Sequence, residues 1–249
     1  MIEYLYRRNT VLESLRGSRR KIHRLLIQNG LQQVDQIRYA ARQRGVSVES
    51  ATKSQLTELT DDRSHQGVVL EVGPFLYSEV DDMLALSEER GEMPFLLLLD
   101  LLHGPSNIGM LLRTAETCGV HGVILQDRRA PDMTPQVVIY SAGAAEHLLV
   151  AQVTNLVQTI QRLKASNVWI AGLDLDSQSN LLGDMDLNLP IGIVVGHEGN
   201  GLRRLVRENC DFLLELPMRG HVGSLNAATA GAVALYAAWQ ARGYEGARR

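Results

Sequence analysis

The 249-residue sequence predicts an α/β protein: a mainly parallel sheet covered by helices, with a small α/β unit ahead of it. Three observations carry this. From residue 94 onward, apolar runs of strand length alternate with helical segments, the pattern of strands buried on both faces. Before Gly73-Pro74, shorter helices and strands alternate, and that dipeptide punctuates their end. Finally, three Gly/Pro/Asn-rich patches each follow an apolar run: GPSNIGMLLRTAE at 104–116, VVGHEGNGL at 194–202 and LPMRGHVGSLNAA at 216–228. Loops leaving the carboxyl ends of strands in an open α/β sheet gather at one edge and form the ligand site.

In chain order, the first unit reads helix 9–16, strand 22–27, helix 32–44, strand 46–50, helix 53–59 and strand 67–72. Residues 75–93 are polar and acidic without strong period, a linker with a short helix. The expected division is therefore 1–74, 75–93 and 94–249. In the last part, strands are expected at 95–99, 122–126, 147–151, 168–172, 191–195 and 212–216, with helices at 107–118, 155–165, 201–209 and 225–242. In the first of these helices Ile108, Leu111, Leu112 and Ala115 form a core-facing stripe, while Asn107, Met110, Arg113 and Thr117 lie off it. Asn107 sits where an N-cap would. The Ala/Gly-rich last helix suits close packing in the core or against a second subunit.

Composition is that of an ordinary globular protein, 45% hydrophobic and 21% charged. No apolar stretch reaches the roughly 18–20 residues of a membrane helix, and Asp100 breaks the densest run. MIEYLYRRNT lacks the apolar core of a secretory signal. Cys118 and Cys210 form no disulfide framework or metal spacing and read as buried thiols, so a reduced cytoplasmic setting is expected. The net charge of −3 is uneven. Residues 1–73 carry twelve Lys and Arg against eight Asp and Glu, and Arg7, Arg8, Arg16, Arg19, Arg20, Lys21 and Arg24 crowd 7–24 around Glu13 alone. Such a patch is the footprint of nucleic acid or, more plainly, a solvated helix face.

Each glycine-rich patch has a structural and a chemical reading. Gly196, Gly199 and Gly201 let backbone approach a ligand or take positive φ, yet a tight strand-to-helix turn also needs them. They do not match the GxGxxG of a dinucleotide fold, and the acidic residue about 20 positions on is missing, which counts against a dinucleotide-dependent enzyme. Ser224 and Asn226 can bond a polar substrate, or Ser224 can simply cap the last helix. Arg113 can pair locally with Glu116 or grip a phosphate with its planar fork. His103, His197 and His221 do not form a metal spacing, and no metal is expected.

Taken together, the three patches resemble the SpoU/TrmH family of RNA ribose 2′-O-methyltransferases. The first motif is carried by Asn107, Gly109, Arg113, Thr114 and Ala115, the second by Gly196, Glu198 and Gly201, and the third by Pro217, Met218, Ser224, Leu225 and Asn226. SAGAAEHLLVAQVTNL at 141–156 matches the segment linking them. RRNTVLESL and SHQGVVLEV resemble both ends of the N-terminal RNA-binding domain of the 23S rRNA guanosine branch. Two departures stand out: Gly104 replaces the usual Asp before Pro105, and Arg7 replaces a usual glycine.

The resemblance implies a SPOUT-type parallel sheet with a trefoil knot, preceded by a small α/β RNA-binding domain resembling ribosomal-protein folds. It implies S-adenosylmethionine held against Gly172, Leu173, Gly196, Gly201, Leu216, Met218, Ser224 and Leu225, and a homodimer. Arg113, Asn107, Glu198, Ser224 and Asn226 become the catalytic set. Arg113 is read as a phosphate grip rather than a base, because arginine stays protonated. Arg8, Arg19, Arg20 and Lys21 are expected to bind RNA backbone, with rRNA favoured over tRNA. The alternatives are a tRNA or antibiotic-resistance rRNA 2′-O-methyltransferase, or a non-catalytic RNA-binding protein on the same scaffold.

Overall fold

The structure is a computed structural model describing residues 2–17, 19–61, 64–127, 132–175 and 179–248. Its contacts divide the chain into two compact units. The first takes in 1–76 and 133–147; the second takes in 77–132 and 148–249.

The first unit opens with β1 (Glu3–Tyr6), α1 (Arg8–Arg16), β2 (Ile22–Gln28), α2 (Asp35–Gln43), β3 (Ser47–Ala51), α3 (Lys53–Leu59) and β4 (Val68–Val72). These strands form a sheet in the order β1-β4-β2-β3, with only β2 and β3 parallel. VVLEV of β4 lies between β1 and β2 and is buried along its length. The sequence reading has no strand before residue 9. EYLY is too short to show a period, and the burial of Leu5 and Tyr6 arises only from pairing with β4.

Arg7, between β1 and α1, takes φ 74° and ψ 139°. A side chain is strained there and glycine is not, so this backbone explains the glycine of the family pattern. Such a conformation costs on the order of 1–3 kcal/mol.

The second unit begins with α4 (Val80–Arg90), β5 (Phe95–Leu99), α5 (Pro105–Thr117) and β6 (Gly122–Gln126). The expected linker is therefore partly core. Met83 of α4 is fully buried in a cluster with Leu96, Ile124 and Ile170. A Cβ at Gly122 would meet its sulfur at 2.2 Å. The acidic exposed face of α4 hides this single buried stripe from a reading of periodicity.

The chain next contributes α6 (Pro135–Tyr140) and a 3-10 turn (Ala144–His147) to the first unit. Ile139 joins Tyr6, Leu26, Leu56 and Val69 in one cluster, and Gln136 donates to the Tyr6 hydroxyl at 3.1 Å. Burial pushes the Glu146 carboxyl upward against the pull of Arg20, whose Nε lies 3.0 Å from it. Thus 133–147 packs with the first unit although the sequence boundaries assign it to the last. A helix of six residues is too short to announce where its apolar side goes.

The second unit resumes with β7 (Val150–Val153), α7 (Leu156–Ala165), β8 (Trp169–Leu173), β9 (Asn180–Leu181), β10 (Ile191–Val195), α8 (Arg204–Asn209), β11 (Phe212–Glu215) and α9 (Ala227–Ala241). The strand expected at 147–151 thus starts three residues later. Among the described residues its strands form a parallel sheet in the order β7-β6-β5-β10-β8-β11-β9. β5, β6 and β10 are buried at every position, as continuous apolar runs demand. Among the described residues no helix is long and apolar enough to cross a membrane.

Replacing Arg7 with glycine removes the backbone strain but adds unfolded-state entropy, roughly 0.5–1 kcal/mol in the other direction. Arg7→Gly is therefore expected to be more stable by about 1 kcal/mol, a rise of roughly 2–4 °C in Tm. A lower Tm would show that Arg7 is not strained.

Candidate active site

The site lies where the sheet order changes direction. β10 enters between β5 and β8, so segments leaving the carboxyl ends of β5, β10, β8 and β11 start side by side. Three of these begin the glycine-rich patches.

The side chain of Asn107 joins those patches. Its Nδ2 donates to Glu198 Oε1 at 2.6 Å, and its Oδ1 accepts from Asn226 Nδ2 at 3.1 Å. Asn226 Oδ1 in turn accepts from the backbone N–H groups of Ala228 and Thr229, at 2.9 and 3.2 Å. The helix caps therefore differ from expectation. Gly104 precedes α5, whose first residue is Pro105, so Asn107 sits inside the first turn and is not the cap. Asn226, not Ser224, caps α9; Ser224 is exposed two residues earlier.

Burial raises the Glu198 pKa, but hydrogen bonds from Asn107 and from the backbone of Glu198 and Gly104 outweigh it. The carboxyl is held below its usual value. His197 Nδ1 accepts from the Gly199 N–H at 2.9 Å, and the His103 ring stands edge-on to the His197 ring with centroids 5.4 Å apart. Of the three glycines in this turn, only Gly201 has positive φ, 62°. Gly196 is required by space: a Cβ would fall 2.4 Å from the Gly201 carbonyl carbon. The two residues flanking that approach are bridged, His197 and Gly201 exchanging backbone bonds of 3.1 and 3.0 Å.

Glu198 also lines a cavity of about 350 Å³, within the range of small-molecule sites. Of the residues expected around the cofactor, Leu173, Gly196, Gly201, Leu216, Met218, Ser224 and Leu225 line it. Gly172 does not. Side chains alternate along β8, so Gly172 faces the other way; a Cβ there would meet Leu202, Cys210 and Leu213 within 3.0 Å. Its smallness serves packing.

Arg113 stands apart from this cavity. It is exposed on α5, two turns beyond Asn107, and among the described residues its guanidinium has no protein partner; the pair with Glu116 does not form.

Two buried acids that sequence reasoning passed over shape the site. Asp100, fully buried after β5, accepts from the N–H and Nε of Arg203 at 2.8 and 2.6 Å, and Arg203 also reaches Gln126 at 2.7 Å. This pins the end of the glycine loop where α8 starts. Asp174, after β8, lines the cavity and lies 2.7 Å from Arg207 Nε. An acid directly after a wholly apolar strand, as in FLLLLD and WIAGLD, was the available signal, because a buried carboxylate must find a cation. The two cysteines behave as expected of buried thiols: burial pushes both up to about 12.

In the first unit the expected cation patch needs correction. Arg20 is not an RNA ligand: its side chain is 1% exposed, held by Glu3 at 2.6 Å and Glu146 at 3.0 Å, and it lies over the Phe75 ring. Lys21 is exposed and Arg19 half-buried. Arg8 donates to the carbonyls of Gln32 and Gln33 and, among the described residues, has no acid partner.

Two family models match the chain. The SpoU rRNA Methylase family covers residues 94–236, and the model described as RNA 2′-O ribose methyltransferase substrate binding covers 4–78. YacO of Bacillus subtilis, named as a TrmH family tRNA/rRNA methyltransferase, is 37% identical over 241 residues, 96% of either chain. A Staphylococcus saprophyticus protein of the same description is 39% identical over 227 residues, 90% of either chain. The fold is that of AviRb, a SpoU methyltransferase of Streptomyces viridochromogenes crystallised with AdoMet. The TM-score is 0.80 at 23% identity, covering 98% of this chain and 91% of that one.

The two family models and these relatives, on an α/β sheet with its pocket at the carboxyl edge, give the class, an RNA methyltransferase. More particularly, the chain belongs to the SpoU/TrmH family.

The two functions of Asn226 are separable. Asn226→Ala is expected to lose the cap and about 1 kcal/mol of stability. Asn226→Asp keeps the cap but cannot donate to Asn107, so stability should hold while methyl transfer falls. Urea unfolding and turnover read the two effects. Equal instability of both variants would refute the cap, and full activity of Asn226→Asp would refute the relay.

Proposed function

We propose that the chain uses S-adenosylmethionine to methylate a ribose 2′-hydroxyl in RNA, most specifically that of a guanosine in 23S rRNA. The observation that carries the reading is the Asn107–Glu198–Asn226 relay, which closes three motif loops beside one cavity. The matching 2′-O ribose substrate-binding model supports ribose as the acceptor. RRNTVLESL and SHQGVVLEV, at the two ends of that module, support the rRNA branch. The relatives' description as tRNA/rRNA enzymes keeps a tRNA target as the second reading.

The cavity suits such a donor. Gly196 leaves backbone bare at its wall, Leu173, Leu216 and Leu225 offer apolar surface, and Ser224 adds a hydroxyl. Bound there, S-adenosylmethionine supplies a methyl group activated by its sulfonium. The protein's own task is then mainly positioning. The three leucines exclude water. Asn107 and Asn226 hold the loops in register, and Glu198, kept ionised, is a fixed acceptor for a hydroxyl. Arg113, a cation with no protein partner among the described residues, grips the phosphate beside the target ribose through its fork.

We also infer a homodimer. Met110 of α5 and Val233 and Tyr236 of α9 are 42–48% exposed, on two helices that pack together in the manner the small residues of α9 permit. A second copy would cover this apolar surface and carry Arg113 with it.

Calorimetry should detect one S-adenosylmethionine site per chain. Comparison of rRNA and tRNA with and without the gene should reveal a missing 2′-O-methyl mark in 23S rRNA; a mark lost from tRNA alone would select the second reading. Arg113→Lys keeps the charge and loses the fork, so kcat/KM for RNA should fall at least tenfold. Near-native turnover with unchanged RNA affinity would refute the grip. In sedimentation the protein should be a dimer that Tyr236→Glu weakens, and a wild-type monomer at micromolar concentration would refute the inferred interface.

A further inference from the structure

We propose that the exposed side of α2, together with the groove it forms with α1 in the first unit, seats an unpaired stretch of RNA, with one base stacked on Tyr39 at the groove's edge and the neighbouring phosphates on Arg38 and Arg42 beside it. This rests on reading the chain as an RNA methyltransferase and names the surface that holds its substrate.

Two adjoining hollows run along the groove. One, of about 610 Å³, is walled by Leu15 and Arg16 of α1 and by Tyr39 and Gln43 of α2; the other, of about 350 Å³, is walled by Arg8 and Asn9. Asp35 and Gln36 border both, which makes the two continuous. Tyr39 is 65% exposed beside them, so its ring is open to a planar partner. The cations around the groove are largely uncompensated. Arg38 and Arg42 line neither hollow; they are exposed on α2 beside Tyr39 and, among the described residues, have no acid partner. Arg44 and Arg8 spend their donors on backbone carbonyls, of Gly17 and of Gln32 and Gln33. Arg16 alone is paired, with Glu13 at 2.8 Å. Arg8, Arg16 and Arg44 line the hollows against Asp35; adding Arg38 and Arg42 beside them, and Glu13 paired with Arg16, leaves this stretch of surface at +3 on a chain whose net charge is −3.

The chemistry selects the occupant. A positive groove tracks a phosphate backbone, and an open aromatic ring rewards a base whose face is free. In a paired helix the faces are already stacked, so duplex RNA could use the arginines but not Tyr39. The groove keeps Arg8 of the cations expected from the sequence, while Arg20 of that set is buried in ion pairs.

The test uses the full chain and fluorescence anisotropy with a labelled 12-nucleotide unpaired RNA and a duplex of the same sequence. Tyr39→Ala should weaken the unpaired RNA about tenfold, as loss of one stacked base does. Tyr39→Trp should retain affinity, and Tyr39→Ala should leave the duplex within twofold. Arg38→Gln combined with Arg42→Gln should lower the slope of log K against log salt by about 1.4, at about 0.7 per phosphate. Far-UV circular dichroism and the thermal unfolding midpoint should be unchanged in every variant, which confirms that the first unit folds, and S-adenosylmethionine affinity should be unchanged as well. Wild-type affinity of these variants for unpaired RNA, equal losses on duplex and single strand, or equal displacement by poly-glutamate would each overturn the groove alone. Failure of the wild type to bind any RNA at low salt would overturn the methyltransferase reading, and this proposal with it.

Discussion

The amide of Asn107 ties together loops that leave three different strands. Its nitrogen holds Glu198 and its oxygen holds Asn226, whose own oxygen caps α9. Each bond contributes only about 1 kcal/mol net, somewhat more where the Glu198 charge takes part. Their effect is nonetheless large, because they act on loops whose origins the sheet has already placed side by side. The parallel strands set position to within a loop's reach, and the amides select one arrangement from those left. An aspartate or a shorter side chain at 107 could not both donate and accept in this way.

Buried charge does comparable work deeper in the molecule. Asp100 holds Arg203, Asp174 holds Arg207, and in the first unit Arg20 is enclosed by Glu3 and Glu146. Breaking such a pair leaves an unpaired charge in a low-dielectric interior, typically a loss of about 3–5 kcal/mol, although an apolar replacement of the whole set can be neutral. These pairs therefore say more about which segments must lie together than about total stability. In the second unit they hold the start of α8 and the wall of the cavity. In the first they fasten 133–147 to a sheet built from residues far away in the chain.

Much of the second unit was legible because parallel strands buried on both faces read as nearly continuous apolar runs. FLLLL, GVILQ and IGIVV stand out for that reason and fall where expected. EYLY, PQVVIY and the buried stripe of α4 did not stand out. They are short or half-polar, and their burial depends on partners distant in sequence. At the site, Asn107, Glu198 and Asn226 were legible as motif residues, but their mutual bonds were not. Gly172 shows the converse. It was assigned to the cavity by its neighbourhood in sequence, and the pleat of β8 turned it into the core.

Sequence alone determined the α/β class, the three loops and the residue types they carry, because strand burial and glycine-rich turns leave local signatures. Tertiary structure decided which charges remain available. Arg20 and Arg113 are the same residue type, yet one is sealed between two carboxylates and the other faces solvent without a partner among the described residues. The physical reason is that charge pairing depends on through-space distance, and for Arg20 one of the two carboxylates, Glu146, comes from far along the chain.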